Sequence, residues 1–218
     1  MKNAPLLKES PVDVAIIGAG AAGLIASIFA ARRDIPGHRR IILLDARPKI
    51  GAKILISGGT RCNVTNRRVT PSDYHGGPTH FIKHVLEAFT PEQTRVFFEE
   101  IGVPLVLETT GKYFPATHSG KTVLAALMTE ASRLGVLLKT ESRVQSVEKK
   151  NEGFLLKTED FELEARRVIL ATGGLSYPET GSDGTGYRLA KSLGHTLVPT
   201  AAALTPLLCH DEDWRSLS

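Results

Sequence analysis

From Val12 the chain reads VDVAII, with Val12, Val14, Ile16 and Ile17 apolar and mostly β-branched, which predicts a short buried strand. An Ala-rich stretch, Ala21 to Ala31, predicts a helix, and the apolar run Ile41 to Leu44 predicts a second strand. Periodicity then stops. Residues 46 to 66 are rich in Gly, Asn and Thr and predict a long loop, a kind of connection that usually carries function. Residues 67 to 79 read as a surface excursion. His80 to Gly102 reads as two helices broken at Thr90-Pro91, with Thr90 capping the second, Pro91 at its first position and Glu92 in its first turn. Val103 to Glu108 and Lys112 to Phe114 flank Thr109-Thr110-Gly111 as a hairpin, and Lys121 to Leu134 is a helix closed by Gly135. Between Val136 and Ala171 the period becomes two. The runs VLLK, RVQSVEK, GFLLKT and FELEA predict an antiparallel meander leading into a core strand, Val168 to Ala171. A glycine-rich turn (GSDGTGY) and a helix, Tyr187 to Leu193, follow. Residues 1 to 11 read as a frayed lead-in, and His195 to Ser218 shows no closing element.

Glycine spacing adds chemistry to the first strand and helix. Gly18, Gly20 and Gly23 stand in G-x-G-x-x-G order directly after the strand, and Asp45 ends the second strand 22 residues beyond Gly23. In such a unit the first glycine allows the tight turn, the second lets backbone approach a pyrophosphate, and the third lets helix pack on strand. The helix start offers free N–H groups and the positive end of its dipole to phosphate. The acid accepts hydrogen bonds from a ribose diol. The spacing alone is weak evidence; strand, helix and acid together predict a dinucleotide-binding βαβ unit.

Composition excludes several classes. A chain of 218 residues with 42% hydrophobic and 23% charged content suits one or two soluble globular domains. The net charge of +4 is mild, and the cluster Arg32, Arg33, His38, Arg39, Arg40 flanks the end of the first helix, where cations favour the dipole. No aromatic residues interleave with it, so no nucleic-acid partner is expected. Two cysteines, Cys62 and Cys209, make no disulfide framework and suit a reducing compartment. The start MKNAPLLKESP has no apolar signal core and nothing reaches the length of a membrane span, which predicts a cytoplasmic protein without membrane association.

The order βαβ, helical insert, meander, strand ending in ATGG resembles flavoproteins with the glutathione-reductase type of FAD-binding domain. More closely, the chain resembles the BaiN/RdsA-like family of NAD(P)/FAD-dependent oxidoreductases, also called aminoacetone-oxidase-family FAD-binding enzymes. GAGAAGL (18 to 24), GAKILISGGTRCNVTN (51 to 66), GKYFP (111 to 115) and ATGGLSYPETGSDGTGY (171 to 187) with the following LGHT carry the resemblance, the second being the most specific. It implies an α/β fold, Rossmann-like, with a parallel core sheet plus an antiparallel meander. It also implies a FAD-binding domain over residues 1–194, with an insert at about 67–134 and the meander at about 136–166, and residues 195–218 as the start of a substrate domain. Bound FAD would have its pyrophosphate at Gly18, Gly20, Ala21, Ala22 and Gly23 and its adenosine ribose at Asp45 and Ala46. Lys53, Ser57, Gly58, Gly59, Arg61, Cys62 and Asn63 would run beside the ribityl and flavin, Val144 would lie at the adenine, and Thr172, Gly173 and Gly174 would approach from the second core strand. Lys53 and Arg61 suit phosphate or a reduced flavin anion on their charge alone. Family members commonly read GSTGDGY where this chain has its acid earlier, at Asp183, so the ribityl contact of the later acid is not carried over. Members are also longer, so the chain reads as an N-terminal portion whose core sheet keeps an open edge.

The expected activity is therefore FAD-dependent oxidation or reduction of a small-molecule substrate, with NAD(P)H as partner and no catalytic acid or base assignable. Rival readings are a non-catalytic dinucleotide-binding fragment, an NAD(P)-only Rossmann dehydrogenase, and a flavin-dependent tRNA-modifying enzyme, for which a stronger basic face is expected. Four features are read as structural. Ser119-Gly120-Lys121-Thr122 resembles a P-loop, but Pro115 stands where its first glycine belongs. His80 and His84 with Glu87 have helical spacing but lack a third ligand, so no metal is expected. Cys62 reads as a buried inert thiol, and Tyr177 and Trp214 as packing residues.

Overall fold

The fold is seen in a computed structural model that describes residues 7–32 and 39–203. Arg33, His38, Cys209 and Trp214 lie outside the described residues. Strand β1 (Leu7–Ile17) enters α1 (Ala21–Arg32), and β2 (Ile41–Leu44) lies parallel to β1 with Val14 opposite Ile41. After an insert come α5 (Gly120–Arg133) and β6 (Leu137–Lys139), then β7 (Ser146–Lys150), β8 (Gly153–Lys157), β9 (Phe161–Leu170) and α6 (Thr185–Ser192). One six-stranded sheet runs β6-β2-β1-β9-β8-β7, with β6, β2, β1 and β9 parallel and the β7–β8–β9 pairs antiparallel.

Both faces of the two central strands are buried, over Val14 to Ile17 of β1 and all of β2, which is why these read as unbroken apolar runs rather than alternations. Val14, Ile16, Ile41 and Leu43 face α1 and α5, whose Leu24, Ile28, Val123 and Leu127 cover them. Ala15, Ile17, Ile42 and Leu44 face the other way, onto Val147 and Leu156 of the meander and Leu189 of α6. The insert holds α3 (Thr79–Ala88), α4 (Pro91–Glu100) and a small sheet, in which β4 (Leu105–Leu107) and β3 (Thr65–Asn66) flank β5 (Lys112–Pro115). The Thr90 cap forms as read. Its hydroxyl accepts from the Gln93 amide at 3.2 Å, and the Gln93 side chain accepts from the Thr90 amide at 2.8 Å.

Four expectations change. The lead-in is already strand: β1 starts at Leu7 opposite Phe161, and a bulge between Glu9 and Val12 accommodates Pro11. The loop 46–66 contains a five-residue helix, α2 (Ala52–Ile56), entered through Gly51 in the left-handed region, and ends in β3. VLLK is not part of the meander, since β6 pairs parallel with β2 at the far edge of the core. FELEA and VILA are one strand: β9 pairs antiparallel with β8 up to Ala165 while running parallel to β1 as far as Leu170. Among the described residues no strand pairs with the outer edge of β9 beyond Ala165.

Arg32, in the last turn of α1, does more than face the dipole. It pairs with Glu130 of α5 at 2.7 Å and Glu100 of α4 at 3.1 Å, its guanidinium 5.2 Å from the Phe97 ring centroid. Arg133 and Arg32 hold the Glu130 carboxyl at about 2, below its ordinary 4.5. With its folded-state pKa lowered, Glu130 stabilises the protein fully above pH 4.5 and loses that contribution as pH falls toward about 2. Glu130→Gln is expected to cost on the order of 1–3 kcal/mol at neutral pH. Denaturant unfolding across the acid limb checks this, because the variant should lose part of the wild-type decline below pH 4.5.

Candidate functional site

The glycine turn is built by crowding on one side and space on the other. At Gly18 the chain adopts φ +105°, and a Cβ there would lie 2.5 Å from the Ala171 carbonyl oxygen at the end of β9. A Cβ on Gly23 would stand 1.8 Å from the Gly18 oxygen, so α1 approaches the turn as closely as backbone allows. Gly20 is different: nothing lies within 4 Å of where its Cβ would be. Its bareness serves the space above the turn rather than the fold. The amides of Ala21, Ala22 and Gly23 precede the first helical hydrogen bond, from Leu24 to Gly20, and so have no partner within the helix.

Asp45 is tied into this turn by its own carboxylate. Oδ2 accepts from the Ala19 amide at 2.7 Å and Oδ1 from the Arg47 amide at 2.9 Å. Its backbone N–H donates to Lys139 at 3.0 Å and its carbonyl accepts from Ser142 at 2.8 Å. Two of the roughly four lone-pair positions of the carboxylate are thus used within the protein, and the others remain for a ligand.

These parts border one cavity of about 940 Å³, near the upper end for small-molecule and cofactor sites. Gly18, Gly20, Ala21, Ala22, Asp45 and Ala46 line it at the turn, and Val144 lines it from the loop between β6 and β7. Lys53, Ser57, Cys62 and Asn63 border it from α2 and the following loop, and Thr172 and Gly173 from the end of β9. Gly23, Gly58, Gly59, Arg61 and Gly174 do not line it. Gly23 lies beneath the turn, and Gly58 and Gly59 are left-handed turn residues at φ +56° and +65°. The Arg61 guanidinium lies 4.1 Å from the Phe114 ring centroid and pairs with Glu108 at 2.6 Å, so its charge is used in the small sheet.

Lys53 has another setting. Its ammonium donates to the Ser176 carbonyl and the Ser182 hydroxyl, both at 2.8 Å, with no carboxylate partner among the described residues. Burial pushes the Cys62 thiol above its ordinary value, the Ser57 hydroxyl only partly offsetting this, which keeps it a poor nucleophile. Gly120 explains the P-loop-like string: its amide donates to the Thr60 carbonyl at 2.8 Å, and a Cβ there would sit 2.8 Å from the Ile54 oxygen. That glycine serves helix packing.

Sequence reading missed Arg47, Arg143, Ser182 and Asp183 as cavity-lining residues. Arg143 pairs with Asp183 at 2.8 Å, and the Thr185 hydroxyl followed by Arg143 brings the Asp183 carboxyl down to about 2. The place of Asp183 just before α6 was the one available signal, because the Thr185 amide donates to its carboxylate at 3.0 Å as at a helix start.

The HI0933-like protein Rossmann domain family matches residues 12–203. Among curated proteins, the 3-dehydro-bile acid delta(4,6)-reductase of Clostridium scindens is 40% identical over 89% of this chain and 47% of its own length. The ribosomal RNA dihydrouridine synthase of Escherichia coli is 36% identical over 91% of this chain and 48% of its own length. The chain therefore spans about half the length of the curated relatives it matches. In solved structures, the 3-ketosteroid-delta4-(5alpha)-dehydrogenase of Rhodococcus jostii superposes with a TM-score of 0.64 at 19% identity, over 86% of this chain and 55% of that one. Glycine oxidase of Geobacillus kaustophilus gives 0.51 at 18% identity, over 87% and 60%. These likenesses bear out the Rossmann-type α/β fold. The expectation of no nucleic-acid partner is set aside, since a relative this similar is named for ribosomal RNA. No helix among the described residues is long and apolar enough to cross a membrane.

The glycines separate fold from site. Gly20→Ala should leave thermal stability unchanged. Gly23→Ala should lose about 1–3 kcal/mol or more through overpacking. Thermal or denaturant unfolding of the pair checks this, and equal losses would show that Gly20 is also a packing position.

Proposed function

Because the chain belongs to the HI0933-like Rossmann-domain family, we propose that it is the FAD-binding portion of a flavin-dependent oxidoreductase, reduced by NAD(P)H. The observation that carries this is the cleft itself. A bare Gly20 and the free amides of α1 open onto about 940 Å³ that continues past Asp45 and Val144 on one side and Lys53 on the other. An elongated, doubly charged dinucleotide suits that outline, with the flavin supplying hydride transfer when bound.

The chain's own groups would divide the work. The amides of Ala21 and Ala22 and the backbone at Gly18 and Gly20 hold the pyrophosphate. Asp45, its orientation fixed by Ala19 and Arg47, offers its remaining lone pairs to the adenosine ribose, and Val144 packs on the adenine. Lys53 brings a cation without a carboxylate partner among the described residues to the ribityl and flavin side, beside Ser57, Cys62 and Asn63. Thr172 and Gly173 close the site from β9. Gly58, Gly59 and Arg61 act one layer back, fixing the course of the 57–63 loop.

Relatives named for a bile acid and for ribosomal RNA each match about nine-tenths of this chain, 89% and 91%, at 40% and 36% identity. What they share with this chain is accordingly the cofactor half, and we place substrate choice in a further domain that residues 195–218 begin. Residues 1–194 form the cofactor domain.

The visible absorption spectrum of purified protein, with the cofactor identified after denaturation, tests the proposal: FAD is expected, and recovery of FMN or NADP alone would overturn it. Asp45→Ala should weaken FAD binding by about 1.5–3 kcal/mol, the scale of a hydrogen bond to a charged group. Titration of apoprotein with FAD, followed by flavin fluorescence, measures that loss. Gly20→Ala should weaken binding at least as much while the protein stays folded.

A further inference from the structure

The outer wall of the cleft is a closed loop. Residues 174–184 leave the end of β9 and return to the start of α6, and the Gly184 amide donates to the Gly174 carbonyl at 3.2 Å across the neck. Within the loop, Thr180 and Gly181 donate to Tyr177 and Pro178, so it holds its own shape as compact Ω-loops do. Gly173, Gly181 and Gly184 have φ of +76°, +100° and +79°, which places glycines at both ends. The inner face, Thr180, Gly181, Ser182 and Asp183, lines the cavity. The outer face carries Tyr177, 69% exposed, and Leu175, also exposed.

What fastens this loop to the rest of the protein is of one kind. Among the described residues, every hydrogen bond joining residues 175–183 to an earlier element is donated by a cation: Arg47 to the Glu179 carbonyl, Lys53 to Ser176 and Ser182, and Arg143 to Asp183. The three come from separate places, after β2, within α2 and before β7, and all three line the cavity. The Arg143–Asp183 ion pair, half-exposed at the rim, is weak and screened by salt, and the Arg47 and Lys53 bonds go to neutral oxygens. A rigid loop with glycine ends and detachable polar fastenings moves as a unit.

We propose that residues 174–184 are a salt-sensitive lid over the cleft, fastened by Arg47, Lys53 and Arg143, that must open for the dinucleotide to enter or leave. The proposal rests on the FAD reading for the identity of that ligand, whereas the lid motion itself does not depend on it. A lid of this kind governs both rates of exchange. Weakening a fastening speeds association and dissociation together and leaves the equilibrium affinity where it was, whereas loss of a ligand contact raises the dissociation rate alone.

Asp183→Asn separates the two, since it removes the partner of Arg143 and takes no cation from the cleft. Stopped-flow mixing of apoprotein with FAD, and chase of bound FAD, should give both rates raised on the order of two- to fivefold. A raised dissociation rate with unchanged association, or no change in either, would overturn the lid. A second measurement needs no ligand. Cys62 is 6% exposed, lines the cavity and takes no part in the fastenings, so in a Cys209→Ser background it reports opening through its reaction with a small disulfide reagent. Reaction should quicken with added sodium chloride and again with Asp183→Asn; a rate indifferent to both would refute the lid. If the protein bound no FAD, the cofactor reading would fail and the thiol measurement would still decide the motion.

Discussion

Asp45 is the residue on which the cleft depends. Its four hydrogen bonds, to Ala19, Arg47, Lys139 and Ser142, join the end of β2 to the glycine turn, to the end of β6 and to the loop that leads to Val144. A carboxylate suits this junction because it can accept from two converging amides and still face outward. The glycine turn alone would be a strained loop with bare backbone. Held by Asp45 and squeezed by Ala171 behind Gly18, it becomes a fixed set of donors at a helix start. The acid at the end of the second strand therefore builds the cleft, and no spacing rule states that role.

That division runs through the whole comparison of sequence with structure. Short-range rules were legible. G-x-G-x-x-G, the Thr90–Gln93 cap, the hairpin around Gly111 and the left-handed Gly135 after α5 all depend on neighbours within a few residues. Pairing partners were not legible. VLLK carries the period of a strand, but nothing in it tells that its partner is β2, more than ninety residues back, rather than the adjacent meander. Residues 1 to 11 read as a frayed lead-in, whereas β1 already pairs with β9 from Leu7 because a bulge between Glu9 and Val12 accommodates Pro11. The single turn of α2 is too short for a periodic signal and is set by Gly51 and by packing under α5.

The cations show the same limit from the chemical side. Lys53 and Arg61 look alike in sequence, both in a glycine-rich segment and both suited to an anion. Phe114 and Glu108 take one of them away, while the other, among the described residues, donates to neutral serine oxygens. Arg47 and Arg143 were passed over because their partners, a backbone carbonyl and a carboxylate, lie on a loop forty or more residues ahead. A charge has meaning only once its neighbours are known, and those neighbours are set by topology.

The central pairing of β1 with β9 also bears on how the chain comes into being. Leu7 lies opposite Phe161, so the first strand made is flanked on one side by nearly the last. During vectorial synthesis β1 can join β2 early, but its other edge stays bare until about 150 further residues have left the ribosome. Contacts of such long reach close slowly, because the loop entropy is lost before the sheet is complete. The nascent chain thus has a waiting period in which an apolar strand edge is open, with Glu9 and Asp13 the acidic residues along it.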